Sequence, residues 1–197
     1  EFMSRHFGAD VHWASIGETG ADVARLREKT LPALAREVRR VQALGEQIDL
    51  VVVVVGLNDF KRAYTSSSFT QLAFRDELGA LVDAIHKMAG KQCTVALPAL
   101  PVHHAPVFGG VWPLQPCLAK IAAMWDEQKE AVAQRISSGL RDGRVCFVRN
   151  AAESRGLDWA HQRYWARDGI HPSDEGYRIW GSYIAEEIVR QLGIDLD

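Results

Sequence analysis

The stretch Leu50-Val51-Val52-Val53-Val54-Val55, followed at once by Gly56-Leu57-Asn58-Asp59, decides how the rest of the chain is read. Six apolar residues run without a polar interruption and stop at a glycine. A strand with one wet face alternates apolar and polar residues, so a continuous run predicts a central strand of a parallel sheet, buried on both faces. Upstream, Asp22 to Leu44 carries Val23, Leu26, Leu34, Val38, Val41 and Leu44 at helical steps, with a break or restart expected at Thr30-Leu31-Pro32. Before that, Asp10 to Ile16 reads as a short strand ending at Gly17. Downstream, Phe69 to Met88 predicts a second helix with Leu72, Leu78, Leu81, Val82 and Ile85 inward and Gly90 as its stop.

Cys93 to Leu97 is the next expected strand, closed by Pro98, and a Pro/Gly-rich stretch runs from Pro101 to Pro116. Leu118 to Ile136 predicts a third helix and Arg144 to Val148 a further strand; Arg149 to Arg167 is mixed. Ser173 is placed to cap a last helix with Tyr177, Trp180, Ile184, Ile188 and Leu192 on one face. Strands alternating with long helices predict an α/β domain with a mainly parallel sheet and helices on both faces.

Composition sets outer bounds. The 197 residues, 47% hydrophobic and 24% charged, suit one globular domain and exclude disorder. A net charge of -2 offers no basic footprint for nucleic acid or an anionic membrane. Leu50 to Val55 is far short of the roughly 20 apolar residues a bilayer span needs. Cys93, Cys117 and Cys146 are widely spaced and read as buried free thiols of a reducing compartment, which leans the location towards the cytoplasm. Glu1-Phe2 ahead of Met3 reads as a cloning scar. The runs from Arg36 to Arg40 and from Asp126 to Glu130 read as solvated helix faces.

Ligands in such folds sit at the carboxyl ends of the strands. In Gly56-Leu57-Asn58-Asp59 the glycine permits a tight turn and the Asn58 amide can donate to a developing negative charge, although the same residues also suit a plain turn. In Asp168-Gly169-Ile170-His171-Pro172, a carboxylate three residues before a histidine can hold the imidazole by Nδ1–H and leave Nε2 as a base, or both residues can simply cap the next helix. Gly17-Glu18-Thr19-Gly20 exposes backbone N–H groups suited to an anion, or is an ordinary strand-to-helix turn.

Taken in order, the Gly-Glu-Thr, Gly-Leu-Asn-Asp and Asp-Gly-Ile-His-Pro-Ser-Asp-Glu-Gly-Tyr segments resemble blocks of the SGNH (GDSL) hydrolase family, over the chain from about residue 10 to its end. The resemblance implies a single flavodoxin-like three-layer α/β/α domain that cleaves acyl esters, thioesters or amides without cofactor or metal. It implies His171 as general base, Asp168 as its orienting partner, and the Gly17 backbone N–H and Asn58 side chain as oxyanion-hole donors. The family's first block, a Gly-Asp-Ser carrying the nucleophile, has no counterpart in the sequence, and only 16 residues precede Gly17. By resemblance the chain therefore lacks the family's first strand, nucleophile loop and following helix. Ser4, Ser15 and Ser66 to Ser68 do not take the nucleophile's place in the family pattern. A serine ester hydrolase whose nucleophile lies outside this chain is the first expectation; a non-catalytic SGNH-like binding domain or an inactive truncated fragment is the alternative. A small acyl ester is the expected partner, and a second copy or a strand swap is expected to cover the edge left by the missing strand. A nucleotide-binding fold ranks last, because neither phosphate-loop pattern occurs. His103-His104, with Phe108 and Trp112, is placed to line an acyl pocket rather than to hold a metal.

Overall fold

The computed structural model describes residues 2–66, 68–109, 112–140, 143–150, 159 and 161–192. Ser67 of the Ser66–Ser68 loop and most of the mixed stretch before Trp159 lie outside the described residues. The chain forms two compact units. One comprises Glu1–Trp13, Pro98–Ala123 and Val148–Asp197; the other comprises Ala14–Leu97 and Met124–Phe147.

The second unit holds the sheet, β1 (Leu50–Val52), β2 (Thr94–Pro98) and β3 (Arg144–Val148), in the order β1-β2-β3. β1 and β2 pair in parallel with Leu50 opposite Thr94 and Val52 opposite Ala96, and the Val53 N–H extends the ladder to the Ala96 carbonyl at 2.9 Å. The central strand β2 is buried along its whole length, as a continuous apolar strand should be. The Val-rich run is different. Val53 and Val55 are buried, but Val52 is 41% and Val54 53% exposed. β1 is therefore an edge strand with one covered face, and the expectation of burial on both faces is corrected. The pleat sends alternate valines to opposite sides, so chemical uniformity along the run does not make its two faces equivalent.

Asp10 to Ile16 forms no strand. Val11, Trp13 and Ile16 are exposed, Trp13 to 83%, and the sheet contains β1, β2 and β3 without this segment. An alternating pattern gives extended structure only where a ladder partner takes its backbone groups. The helix α2 (Val23–Gln42) also departs from expectation, running unbroken through Pro32. That residue stands on the exposed side, where the loss of one helical hydrogen bond is least costly. Asp22 caps α2 by accepting from the Arg25 N–H at 2.8 Å.

The short helix α3 (Leu57–Thr65) follows β1, and α4 (Gln71–Ala89) packs on α2. Thr70 caps α4, Gly90 at φ 97° ends it, and Phe74, Leu78, Leu81, Val82 and Ile85 are buried. Leu72, expected inward, is 56% exposed because it sits off that stripe in the first turn. On the buried side, the His86 ring of α4 lies 3.1 Å from the Cys93 carbonyl and 3.3 Å from that of Arg144, joining the helix to the ends of two strands. Cys93 and Cys146 are buried, and burial pushes both thiols up to about 11. Cys117, read as buried, is exposed.

In the first unit, a 3₁₀ turn (Val102–His104) and the short α5 (Pro106–Gly109) occupy the Pro/Gly-rich stretch. The helix α6 (Leu114–Arg135), which belongs to the first unit up to Ala123 and to the second from Met124, starts four residues before the expected Leu118. Pro116 is no obstacle there, because first-turn N–H groups have no intrahelical acceptor. The C-terminal helix α7 (Asp174–Gln191) packs on α1 (Phe2–Phe7) and on a 3₁₀ turn (Gln162–Tyr164). Trp180, Ile184 and Ile188 are buried as expected; Tyr177 and Leu192 are exposed, and Tyr183 is buried in their stead. Among the described residues no helix is long and apolar enough to cross a membrane.

The two sides of α4 should answer differently to truncation. Phe74→Ala is expected to destabilise the protein by about 3–5 kcal/mol. Leu72→Ala should stay within about 0.5 kcal/mol of the parent. Urea unfolding followed by circular dichroism checks both.

Candidate active site

In the first unit, the chain between the 3₁₀ turn and α7 folds back on itself. Trp165 bridges Pro172, the Ala166 N–H donates to the His171 carbonyl at 2.8 Å, and Gly169 takes φ 68° at the tip. The Asp168 carboxylate organises this turn. Its Oδ1 accepts the N–H groups of Ile170 at 2.9 Å and His171 at 3.0 Å, and its Oδ2 lies 2.6 Å from His171 Nδ1. A carboxylate can only accept, so Nδ1 carries the hydrogen and Nε2 is the site left for proton exchange. The bond to His171, helped by the two backbone donors, holds the Asp168 carboxyl down at about 2. The His171 side chain is 64% exposed.

Neither residue caps α7, which answers the simpler reading of the motif. The cap is Ser173, whose hydroxyl accepts the Gly176 N–H at 3.1 Å and donates to the Arg163 carbonyl at 2.6 Å. Gly176 carries its own constraint, because a Cβ there would run into the Tyr164 carbonyl oxygen. The Val107 N–H of α5 donates to the Gly169 carbonyl at 3.4 Å, so the 102–109 segment lies against the same turn. The His103 and His104 rings lie with centroids 4.0 Å apart and their planes tilted by 42°, and burial lowers the His103 pKa. Among the described residues no group of three or more His, Cys, Asp or Glu side chains is arranged to hold a metal.

The second unit holds the other two candidates. Gly56 leaves β1 at φ 129°, a conformation that an L side chain rarely adopts, and α3 begins at the next residue. Asn58 Nδ2 donates to the Ala21 carbonyl at 3.1 Å, leaving its second hydrogen for another acceptor. Gly17 is exposed, with open space where a Cβ would stand. Between Gly17 and α2 the Glu18 carbonyl accepts the Ala21 N–H at 3.3 Å, Gly20 takes φ 70°, and Glu18 pairs with Arg25 at 2.7 Å. The Gly-Leu-Asn-Asp segment thus bonds to Ala21 and Val23, which follow the Gly-Glu-Thr segment. The weighed serines make local bonds: Ser4 donates to the Ala9 carbonyl at 2.8 Å, and Ser66 and Ser68 bond each other at 3.0 Å. Ser15 is exposed.

Two residues escaped the sequence reading. Asp59 is fully buried and accepts the Val23 N–H on Oδ1 at 2.9 Å. Burial is the main cause that pushes its carboxyl up to about 6, with Asp22 and Glu77 adding to the rise and the Val23 bond opposing it. Lys129, read as part of a solvated face, is 1% exposed. Its Nζ lies 3.1 Å from Asp126 Oδ1, and burial lowers its pKa against the pull of Asp126 and Asp59. The spacing Trp125, Lys129, Val132, Ile136 is the signal that places it inward, since three- and four-residue steps mark one buried helical stripe.

The sequence profile of the GDSL-like Lipase/Acylhydrolase family matches residues 1–179. The chain belongs to this family. Membership places it among ester hydrolases in general. The crystal structure of a GDSL-like protein from Parabacteroides merdae ATCC 43184 is similar at 20% identity, with a TM-score of 0.47, over 89% of this chain and 70% of that one. No curated protein matches the chain.

Two titrations follow from the opposite environments of the carboxylates. Replacing His171 by Ala removes the largest cause of Asp168's low pKa, so its ¹³C carboxyl titration should move up from about 2 towards the ordinary aspartate range. Asp59 has the opposite linkage. Between 3.8 and about 6 the folded protein holds the Asp59 proton more tightly than the unfolded chain, so stability falls as pH rises through that window. The ceiling on that fall is about 3 kcal/mol. Asp59→Asn should flatten it in urea unfolding between pH 4 and 6.5; an unchanged slope would assign it to other groups.

Proposed function

We propose that this chain carries the base, the orienting carboxylate and two oxyanion donors of an acyl-transfer ester hydrolase, within one SGNH-hydrolase-like domain spanning residues 1–197. The observation that carries the reading is the 2.6 Å hydrogen bond from His171 Nδ1–H to Asp168 Oδ2, with the imidazole exposed. In the proposed reaction a serine hydroxyl attacks the ester carbonyl and His171 Nε2 takes its proton. The carbonyl π electrons move onto oxygen, where the Gly17 N–H and the second Asn58 Nδ2–H donate to the oxyanion. Collapse expels the alcohol, which receives the proton from His171, and water then cleaves the acyl-enzyme by the same steps. A short acyl ester, a lysophospholipid or an acetylated sugar suits this chemistry equally.

No Gly-Asp-Ser stands in the sequence, and the reading assigns the nucleophile to no serine of this chain. That observation favours a second reading, a domain that keeps the family's cleft chemistry for binding without turnover. A fluorophosphonate probe with p-nitrophenyl acetate hydrolysis tests both. The expected result is an unlabelled protein and hydrolysis near the uncatalysed rate. Labelling with brisk turnover abolished by His171→Ala would overturn the missing nucleophile and keep the base. Brisk turnover that survives His171→Ala would overturn both assignments.

A further inference from the structure

Around Gly56-Leu57-Asn58-Asp59, the Asn58, Asp59 and Arg62 side chains all bond to the Ala21–Val23 stretch. Asn58 Nδ2 reaches back to the Ala21 carbonyl, Asp59 Oδ1 takes the Val23 N–H, and Arg62 Nη1 reaches Asp22 Oδ2 at 3.3 Å and Glu77 Oε2 at 3.0 Å. Of the three side chains that make these bonds Asp59 is the fully buried one, and its second oxygen has no hydrogen-bond partner. A buried carboxylate with one donor is a poor element of stability for its own sake, because burial without full pairing costs free energy. Its position points to a geometric task. The Val23 N–H is the first of α2, one of the orphan donors at a helix start, and Asp22 already caps the turn through Arg25. Asp59 therefore supplies α2 with an anchor from a different element, one residue beyond Asn58.

We propose that Asp59 is a positioning residue, whose hydrogen bond to the Val23 N–H locks the Asn58 amide against Ala21 and fixes the direction of its remaining N–H. This role rests on the reading of Asn58 as an oxyanion donor, but the lock itself is a property of the ground state and can be observed without turnover. The neutral form can also hold it, because a carboxamide oxygen accepts the Val23 N–H as a carboxylate oxygen does. That separates Asp59 from a residue needed for its charge. The charged groups around it are Asp22 and Glu77, both tied to Arg62, and Lys129, tied to Asp126. The Gly56 Cβ position lies 3.6 Å from Lys129 Nζ and from Trp125 Cδ1, so the α6 segment backs the same turn.

The test is NMR on labelled protein, with Asp59→Asn and Asp59→Leu beside the parent. The parent should show a coupling across the hydrogen bond from Val23 ¹⁵N to the Asp59 carboxyl carbon. In Asp59→Leu the Asn58 side-chain amide should move to free-amide shifts and the Val23 N–H should exchange at least about tenfold faster, the loss of roughly 1.4 kcal/mol of protection. Asp59→Asn should keep both signals. Unchanged Asn58 resonances in Asp59→Leu overturn the proposal, as does equal loss in the two variants. If Asp59→Leu does not fold, absence of the coupling in the parent overturns it, and its presence with Asn58 retained in Asp59→Asn supports it. Where ester turnover is found, Asp59→Leu should lower kcat about 10–100-fold with KM within about twofold, and Asp59→Asn should restore it. In a protein without turnover the NMR signals still decide the matter, so failure of the hydrolase reading and failure of the lock are told apart.

Discussion

The hydrogen bond from the Val23 N–H to the buried Asp59 carboxylate is the constraint that ties the start of α2 to the turn ahead of α3. It joins the helix that follows Gly17 to the turn that follows β1. A carboxylate at the start of α2 lies where the helix dipole and its unpaired N–H groups favour negative charge. The environment still opposes ionisation on balance, since burial outweighs the backbone bond and the neighbouring Asp22 and Glu77 add repulsion. The residue is thus held in a place that electrostatics alone would not select. Gly56 makes the placement feasible, because φ 129° turns the chain out of β1 within one residue and starts α3 at Leu57. Open space around Gly56 is not what requires glycine, since a Cβ would meet its neighbours at ordinary contact distances; the backbone angle requires it.

Asp168 is the opposite case in the same chain. It is exposed, accepts three hydrogen bonds, and stays ionised down to about 2. One carboxylate is stabilised as an anion by local donors, the other driven towards its acid form by burial, and their tasks differ accordingly. A carboxylate that holds an imidazole by its Nδ1–H must remain an acceptor, and the low pKa of Asp168 keeps it one. A structural anchor needs only an oxygen lone pair, which survives protonation.

What the sequence made legible sorts by the range of the interactions involved. The Gly90 stop, the Ser173 cap and most of the α4 stripe depend on neighbours within a few residues, and all appear where the pattern put them. The strand at Asp10 to Ile16 did not form, because a strand also needs a partner that its own pattern does not name. The Val-rich run gave the presence of β1 but not its edge position, since neighbours in the sheet, not the valines, decide whether both faces are covered. Lys129 was misread for the opposite reason. Its charge suggested solvent, while its spacing from Trp125 and Val132 placed it inside, and the spacing prevailed because Asp126 stands within reach of the ammonium.

The same distinction runs through the candidate site. Asp168 to Gly176 is readable as a unit because nearly every residue in it acts locally: Asp168 holds the turn and the ring, Gly169 takes the positive φ, Pro172 closes the bridge to Trp165, Ser173 caps α7, and Gly176 passes close to the Tyr164 carbonyl. A motif of this kind specifies its own geometry and survives being read alone. The Gly-Leu-Asn-Asp segment is built otherwise. Asn58 and Asp59 take their partners 37 and 36 residues upstream, and nothing within Gly-Leu-Asn-Asp distinguishes an amide locked on Ala21 from one in an ordinary turn. The Asp168–His171 pair is therefore encoded by short-range chemistry and the Asn58 amide donor by long-range packing. Mutations distant in sequence, around Ala21 to Arg25, can disturb the donor while leaving the Asp168–His171 pair intact, because the two depend on separate sets of bonds.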